Sequence, residues 1–88
     1  MTKHAQSLKL LNTARGQLEA VIRMVEENAY CVDISKQILA TIALLKRANS
    51  VILKKHIETC VKNALQQGDF ENKLKELEEV FRYMERIL

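Results

Sequence analysis

Apolar residues in the first third of the chain recur every three or four positions, the period of one face of an α-helix. They predict an amphipathic helix over residues 4–27, and they are Leu8, Leu11, Ala14, Leu18, Ile22 and Val25. Gly16 interrupts this stripe. Because a glycine inside a helix lowers helix propensity, we expect close packing or a close approach to the backbone there.

A second, longer helix is predicted over residues 33–67, with Asp33 as its N-cap and Gly68 just after its end. From Ile38 to Leu45 it is apolar on nearly every side, which indicates burial against several neighbours. A helix of about 34 residues is roughly 50 Å long. Since no other segment of the chain is long enough to cover it, we expect further copies of the chain to do so.

The third predicted helix covers residues 70–87, and Asp69 is placed to cap it. Its apolar residues alternate steps of three and four, the a/d pattern of a heptad: Leu74, Leu77, Phe81, Met84 and Leu88. The predicted fold class is therefore all-α, with a three-helix protomer in one domain, residues 1–88. The absence of Pro and Trp and the presence of only two Gly fit that class.

Composition and charge narrow the functional classes. The net charge of +3 is compatible with a nucleic-acid partner. The chain opens on the polar stretch MTKHAQSLK, and its longest apolar run, ILATIALL, is too short to span a membrane. We therefore expect a cytoplasmic protein with reduced thiols. We do not expect an enzyme or a small-molecule substrate, because no nucleophile–base set or phosphate loop is recognisable.

Two cysteines and a histidine form the candidate chemistry. His56 and Cys60 lie four residues apart, which on an α-helix places them on one face. Cys31 precedes His56 by about 37 Å of helix, so the two do not meet within one chain. In two antiparallel copies, Cys31 of one approaches His56 and Cys60 of the other, and two-fold symmetry gives two identical sites. Two thiolates and an imidazole favour Cu(I), since structural zinc takes a fourth ligand; cysteines that merely pack as small apolar residues remain the alternative.

The stretch from Arg15 to Val61 resembles the copper-sensing repressor family of bacteria (CsoR/RcnR type). The matching features are Gly16–Gln17, the run RMVEE, Cys31 fifteen residues after Gly16, and the spacing Cys, 24 residues, His, three residues, Cys. The resemblance implies an antiparallel dimer that pairs into a homotetramer. It further implies that the apo protein binds operator DNA and is released when Cu(I) binds an intersubunit Cys–His–Cys site.

By position, this resemblance assigns the metal ligands to Cys31 of one protomer and His56 and Cys60 of the other. Tyr30 and Glu76 occupy the positions that, in the family, hold the far nitrogen of the ligating histidine. Nickel and cobalt sensors add an N-terminal histidine, but His4 is five positions out of register, so we expect it to be a surface residue.

The DNA-binding residues match the family less well. Asn12, Thr13 and Ile42 stand where the family pattern usually has arginine. The candidate phosphate contacts are instead Lys9, Arg15, Lys46 and Arg47. Two alternatives stay open: a repressor that senses persulfides or other reactive sulfur through Cys31 and Cys60, and a metal-binding helical oligomer that no longer binds DNA. His56 argues against the first, because persulfide sensors of the family lack this histidine.

Overall fold

The structure, a computed structural model, describes residues 2–87, without the side chains of Cys60, Val61, Ala64 and Ile87. Its elements are α1 (Ala5–Glu26), α2 (Cys31–His56), a π turn (Ile57–Val61), α3 (Lys62–Gln67) and α4 (Phe70–Ile87). No strand occurs among residues 2–87. The predicted all-α class is therefore confirmed, while the middle helix of the predicted three is divided.

The ends of α1 and α4 agree with the predicted helices to within one residue, but the start of α2 does not. This helix begins at Cys31, so the prediction that Asp33 is its N-cap is wrong. The N–H of Ile34 donates to the carbonyl of Tyr30 at 3.1 Å, which makes Tyr30 the capping residue. Asp33 instead lies in the first turn, where its carboxylate is favourable near the positive end of the helix dipole.

The connection between α1 and α2 is a Schellman turn. The N–H of Ala29 donates to the carbonyl of Met24 at 2.9 Å, and that of Asn28 to Val25 at 3.1 Å. Asn28 has a φ of 56°, a left-handed conformation that asparagine tolerates better than most residues. The turn reverses the chain direction and places Tyr30 and Cys31 at the start of α2.

The chain forms two compact units, Met1–Leu53 and Lys54–Leu88. In the first unit, which we call the hairpin, the Ser7 hydroxyl donates to the carbonyl of Ala48 at 3.2 Å. Further along, the Thr41 hydroxyl lies 3.3 Å from Oε1 of Gln17. Because the residue numbers rise along α1 as they fall along α2, the two helices are antiparallel.

Small residues line the contact between the hairpin helices. Ser7, Ala14 and Val21 are buried on α1 at a spacing of seven, and Thr41 and Ala48 are buried on α2 at the same spacing. Small side chains let two helix backbones approach closely. The contact face is therefore not the large apolar stripe, whose members remain 39–55% exposed: Leu8, Leu11, Leu18, Ile22 and Val25.

Two expectations about packing are not met within the single chain. The segment Ile38 to Leu45 is not buried on several sides, since Ile38, Leu39, Ile42 and Leu45 are 39–62% exposed. The reason is that a two-helix hairpin gives α2 only one neighbour there. Gly16 is exposed, and a Cβ built at this position meets nothing within 4 Å, so no close approach within the chain explains it.

In the second unit, which we call the C-terminal unit, the π turn, α3 and α4 contact one another. Leu77 of α4 is buried, whereas Leu74 and Phe81 stay half-exposed. Asp69 precedes α4 as predicted: its carbonyl accepts the N–H of Lys73 at 3.3 Å, and its carboxylate accepts the side-chain amide of Asn72 at 2.7 Å.

Candidate metal centre

Cys31 is the first residue of α2, and its thiol is free and exposed. The preceding residue, Tyr30, is 69% exposed. Its carbonyl caps α2, so its backbone is fixed while its phenol is open to solvent. The first candidate ligand therefore lies at an accessible helix start, where a donor from another molecule can reach it.

The other two candidates lie at the end of α2. His56 is its last residue and is half-buried, and Cys60 follows within the π turn. The side chain of Cys60 lies outside the described residues. The expectation that both residues belong to a regular α-helix is wrong, because the backbone between them closes hydrogen-bonded rings of the wider i→i+5 type.

Thr59 marks the irregular part of this segment, and the sequence analysis missed it. Its hydroxyl donates to the carbonyl of Lys55 at 2.8 Å. Its own carbonyl accepts the N–H of Lys62, a tighter i→i+3 bond. Threonine is able to bond the carbonyl four residues back in any helix, so the letters HIETC alone carry no signal of a π turn.

Among the side chains that the structure describes, no three His, Cys, Asp or Glu residues form a group able to hold a metal ion. The donor chemistry of the predicted set is nevertheless well matched to one metal. Thiolate sulfur and imidazole nitrogen are soft or borderline ligands, and three of them suit Cu(I).

Of the two residues predicted to support the ligating histidine, Glu76 has a described partner. It lies on α4, and its carboxylate pairs with the ammonium of Lys73 at 3.6 Å. Both side chains of this pair are substantially exposed, so the ion pair is weak and readily exchanged. The roles of Tyr30 and Glu76 stay predictions.

His4, which we expected to be a surface residue, is only partly exposed. It precedes α1, its carbonyl accepts the N–H of Leu8 at 2.9 Å, and its side chain is half-buried. The Nδ1 atom is enclosed and has no hydrogen-bond partner in the described part of the chain.

The four candidate DNA-contacting residues lie in one stretch of the hairpin. Lys9 and Arg15 lie on α1 between Ser7 and Gln17, and Lys46 and Arg47 lie on α2 between Thr41 and Ala48. The two polar contacts between the helices thus bracket all four residues, and all four are exposed.

Asn12, Thr13 and Ile42 are exposed as well.

None of the helices described is both long and apolar enough to cross a lipid bilayer.

Comparison with known proteins identifies the family. Residues 3–83 match the family model described as metal-sensitive transcriptional repressor. The copper-sensing transcriptional repressor CsoR of Mycobacterium tuberculosis (strain H37Rv) is 41% identical over 81 residues, covering 92% of this chain and 68% of the relative. CsoR of Bacillus subtilis is 39% identical over 72 residues, covering 82% and 71%.

A solved structure agrees with these matches. The crystal structure of the copper-sensing repressor CsoR with Cu(I) from Geobacillus thermodenitrificans is similar at a TM-score of 0.87 and 36% identity, over 96% of this chain and 90% of that one. The family predicted from Gly16–Gln17 and from the Cys–His–Cys spacing is therefore confirmed. This chain belongs to the metal-sensitive transcriptional repressor family.

Proposed function

We propose that this protein is a Cu(I)-responsive transcriptional repressor of the bacterial cytoplasm that binds operator DNA in its apo form and releases it when Cu(I) binds. The observation that carries the proposal is the position of the soft donors at the two ends of α2: Cys31 is its first residue, His56 its last, and Cys60 follows in the π turn. The names of the copper-sensing relatives support the choice of metal.

The site requires two chains. Since α2 has 26 residues, its first and last residues are about 38 Å apart along the helix axis. One metal ion cannot bind both ends of the same helix. Two antiparallel copies bring Cys31 of each to His56 and Cys60 of the other, so a dimer holds two sites. The exposed apolar residues along α1 and α2 supply a surface for this pairing and for a further pairing into a tetramer.

Charge also favours the antiparallel arrangement. Close to Cys31 in the chain lie the acidic residues Glu26, Glu27 and Asp33. Close to His56 and Cys60 lie Lys54, Lys55 and Lys62 together with one acidic residue, Glu58, so the local net charge is +2. All seven residues are exposed or half-buried. When two copies pair head to tail, each acidic group faces the basic group of the other chain, whereas a parallel pair sets like charges together.

The basic stretch of the hairpin is the proposed DNA contact. Residues 1–53 contain seven basic and four acidic residues, a net charge of +3, and residues 54–88 contain seven of each. The whole net charge of the chain thus lies in the hairpin. Lys9, Arg15, Lys46 and Arg47, which we call the hairpin patch, lie in two segments without an acidic residue, 7–17 and 41–48. Such a patch binds phosphates through charge, with little demand on exact position.

DNA release requires that Cu(I) binding at the metal site lower the DNA affinity of the hairpin. When Cu(I) is bound, His56 ligates through one ring nitrogen and offers the other N–H to an acceptor. We assign this acceptor role to the Glu76 carboxylate, which exchanges its exposed Lys73 partner for the histidine. The phenol of Tyr30, the residue before the Cys31 ligand, lies beside the same histidine. Because α4 contacts the π turn, the new bond biases the arrangement of the assembly towards lower DNA affinity.

The test is fluorescence anisotropy on DNA from the protein's own upstream region, with anaerobic Cu(I) titration. Apo wild-type protein is expected to bind, and to lose affinity by roughly 5–150-fold at about one Cu(I) per chain. His56→Ala is expected to stay on the DNA. If reactive sulfur but not Cu(I) releases the wild type from DNA, and the His56→Ala variant responds in the same way, the protein is the reactive-sulfur sensor instead. Apo protein that never binds DNA establishes the helical oligomer.

Mixed dimers test whether the ligands come from two chains. A Cys31→Ser chain and a His56→Ala/Cys60→Ser chain each lack part of every site in their own dimers. In a mixed dimer, however, one site combines the intact Cys31 with the intact His56 and Cys60. We expect Cu(I) binding to return on mixing, at about one ion per mixed dimer. If mixing restores nothing, the ligands do not come from two chains.

A further inference from the structure

The π turn, Ile57–Val61, is an irregular segment between α2 and α3. It contains one candidate ligand, Cys60, and directly follows another, His56. In an α-helix the backbone ring closes between residues four apart, and in a π turn between residues five apart. The wider turn contains one more residue, so the angle and the rise between His56 and Cys60 differ from those of an α-helix. Single π turns inside α-helices occur frequently at functional sites.

Thr59 lies within this turn and is bonded to one residue before it and to one after it. Its hydroxyl donates to the carbonyl of Lys55, the residue before His56, at 2.8 Å. Its carbonyl accepts the N–H of Lys62, the residue after Val61. A side chain that inserts into the backbone hydrogen-bond ladder is one of the recognised causes of a local departure from α-helix. The side chain of Thr59 is thus bonded to the last turn of α2, and its carbonyl to the N–H that directly follows the π turn.

We propose that Thr59 is a positioning residue for the metal site: its hydroxyl keeps the segment Ile57–Val61 in the π form, which sets the separation of His56 and Cys60. This inference rests on the proposed function, since it assigns both residues to one Cu(I) ion. A three-coordinate ion needs its donors directed at a single point. Without the hydroxyl the segment relaxes towards a regular α-helix, which changes the angle between the two donors and weakens binding.

The experiment compares three variants of the full-length protein by anaerobic competition against a Cu(I) chelator. Thr59→Val keeps the shape and removes the hydroxyl, and Thr59→Ser restores the hydroxyl. Thr13→Val is the matched control, because the Thr13 hydroxyl makes the same bond to the carbonyl of Lys9, at 3.0 Å, within regular α1. We expect Thr59→Val to bind Cu(I) about tenfold or more weakly, with Thr59→Ser and Thr13→Val within about twofold of wild type.

Two further measurements separate positioning from mere stability. The melting temperature of the apo protein reports stability, and amide hydrogen exchange of residues 55–62 reports the hydrogen bonds of the turn. If Thr59 positions the metal site, Thr59→Val changes both the hydrogen exchange of residues 55–62 and the Cu(I) affinity. Thr13→Val changes neither, although the two variants have similar melting temperatures.

Wild-type affinity in Thr59→Val overturns the inference, as does an equal loss in Thr59→Ser. Failure of the proposed function is seen elsewhere, in a wild type that does not bind Cu(I) or in a His56→Ala variant that binds it normally.

Discussion

The hairpin and the C-terminal unit are built by different means. The hairpin consists of two regular helices held at a line of small residues, with a serine and a threonine in polar contact across it. The C-terminal unit consists of a π turn, a six-residue helix and α4, in which Leu77 is buried while Leu74 and Phe81 stay half-exposed. The hairpin has a net charge of +3, whereas the C-terminal unit is neutral.

This difference separates the two tasks of the proposed repressor. A regular and basic element suits the long-range attraction of a polyanion, which depends on charge more than on detailed geometry. A metal site instead depends on short distances and angles, and the helical irregularity lies directly beside His56. Substitutions in the hairpin are therefore expected to change stability and DNA binding, and substitutions in the π turn to change metal binding.

The largest effect is expected where the hairpin helices are closest. Ala48 is 1% exposed and its carbonyl accepts the Ser7 hydroxyl, so Ala48→Leu has no space for three more carbons. Overpacking at this contact is expected to lower the free energy of unfolding by about 3 kcal/mol. Urea unfolding at a fixed chain concentration measures it.

The matched control is Ala40→Leu, an exposed alanine on the same helix, with an expected change within about 0.5 kcal/mol. Equal losses in the two variants are incompatible with a close small-residue contact at Ala48.

The next effect concerns charge. Lys46→Gln/Arg47→Gln removes two cations from the hairpin patch, and Lys75→Gln/Arg82→Gln removes two from α4. The hairpin variant is expected to bind DNA about tenfold more weakly, equivalent to about 1.4 kcal/mol. It is also expected to show a salt dependence shallower by up to about two units of log–log slope.

Anisotropy at several salt concentrations measures both quantities. The α4 variant has the same net charge and should match wild type. If the two variants lose affinity equally, net charge alone governs binding and the hairpin patch has no special role.

The helices were predictable from the sequence because their apolar periodicity extends over many residues. The face of α1 that packs against α2 could not be predicted in the same way. The large residues Leu8, Leu18 and Ile22 define the stripe but remain half-exposed, and Ser7 is fully buried. A serine reads as a surface residue, yet its size permits a close helix contact and the Ala48 carbonyl satisfies its hydroxyl. Which of two adjacent faces packs depends on the partner helix, which periodicity does not report.

The candidate site shows the same limit. The spacing of Cys31, His56 and Cys60 predicted the family that the comparisons confirmed. The π turn beside His56 could not be predicted, because α and π turns are formed by the same residue types and differ by one residue in ring closure. Thr59 makes a bond that Thr13 also makes in an ordinary helix. Only the structure distinguishes the two.

The smallest predicted effects compare the only two glycines, one in each unit. Gly16 lies in regular α1 with open space where the methyl group of an alanine would lie, so Gly16→Ala is expected to raise the free energy of unfolding by about 0.5–1 kcal/mol. Gly68 ends α3 with a φ of 75°, so Gly68→Ala is expected to lower it by about 1 kcal/mol, because a Cβ is strained there. Urea unfolding of both variants tests for opposite signs. A Gly16→Ala variant that instead loses stability or DNA affinity means that another chain or the DNA packs against the backbone of α1 at this point.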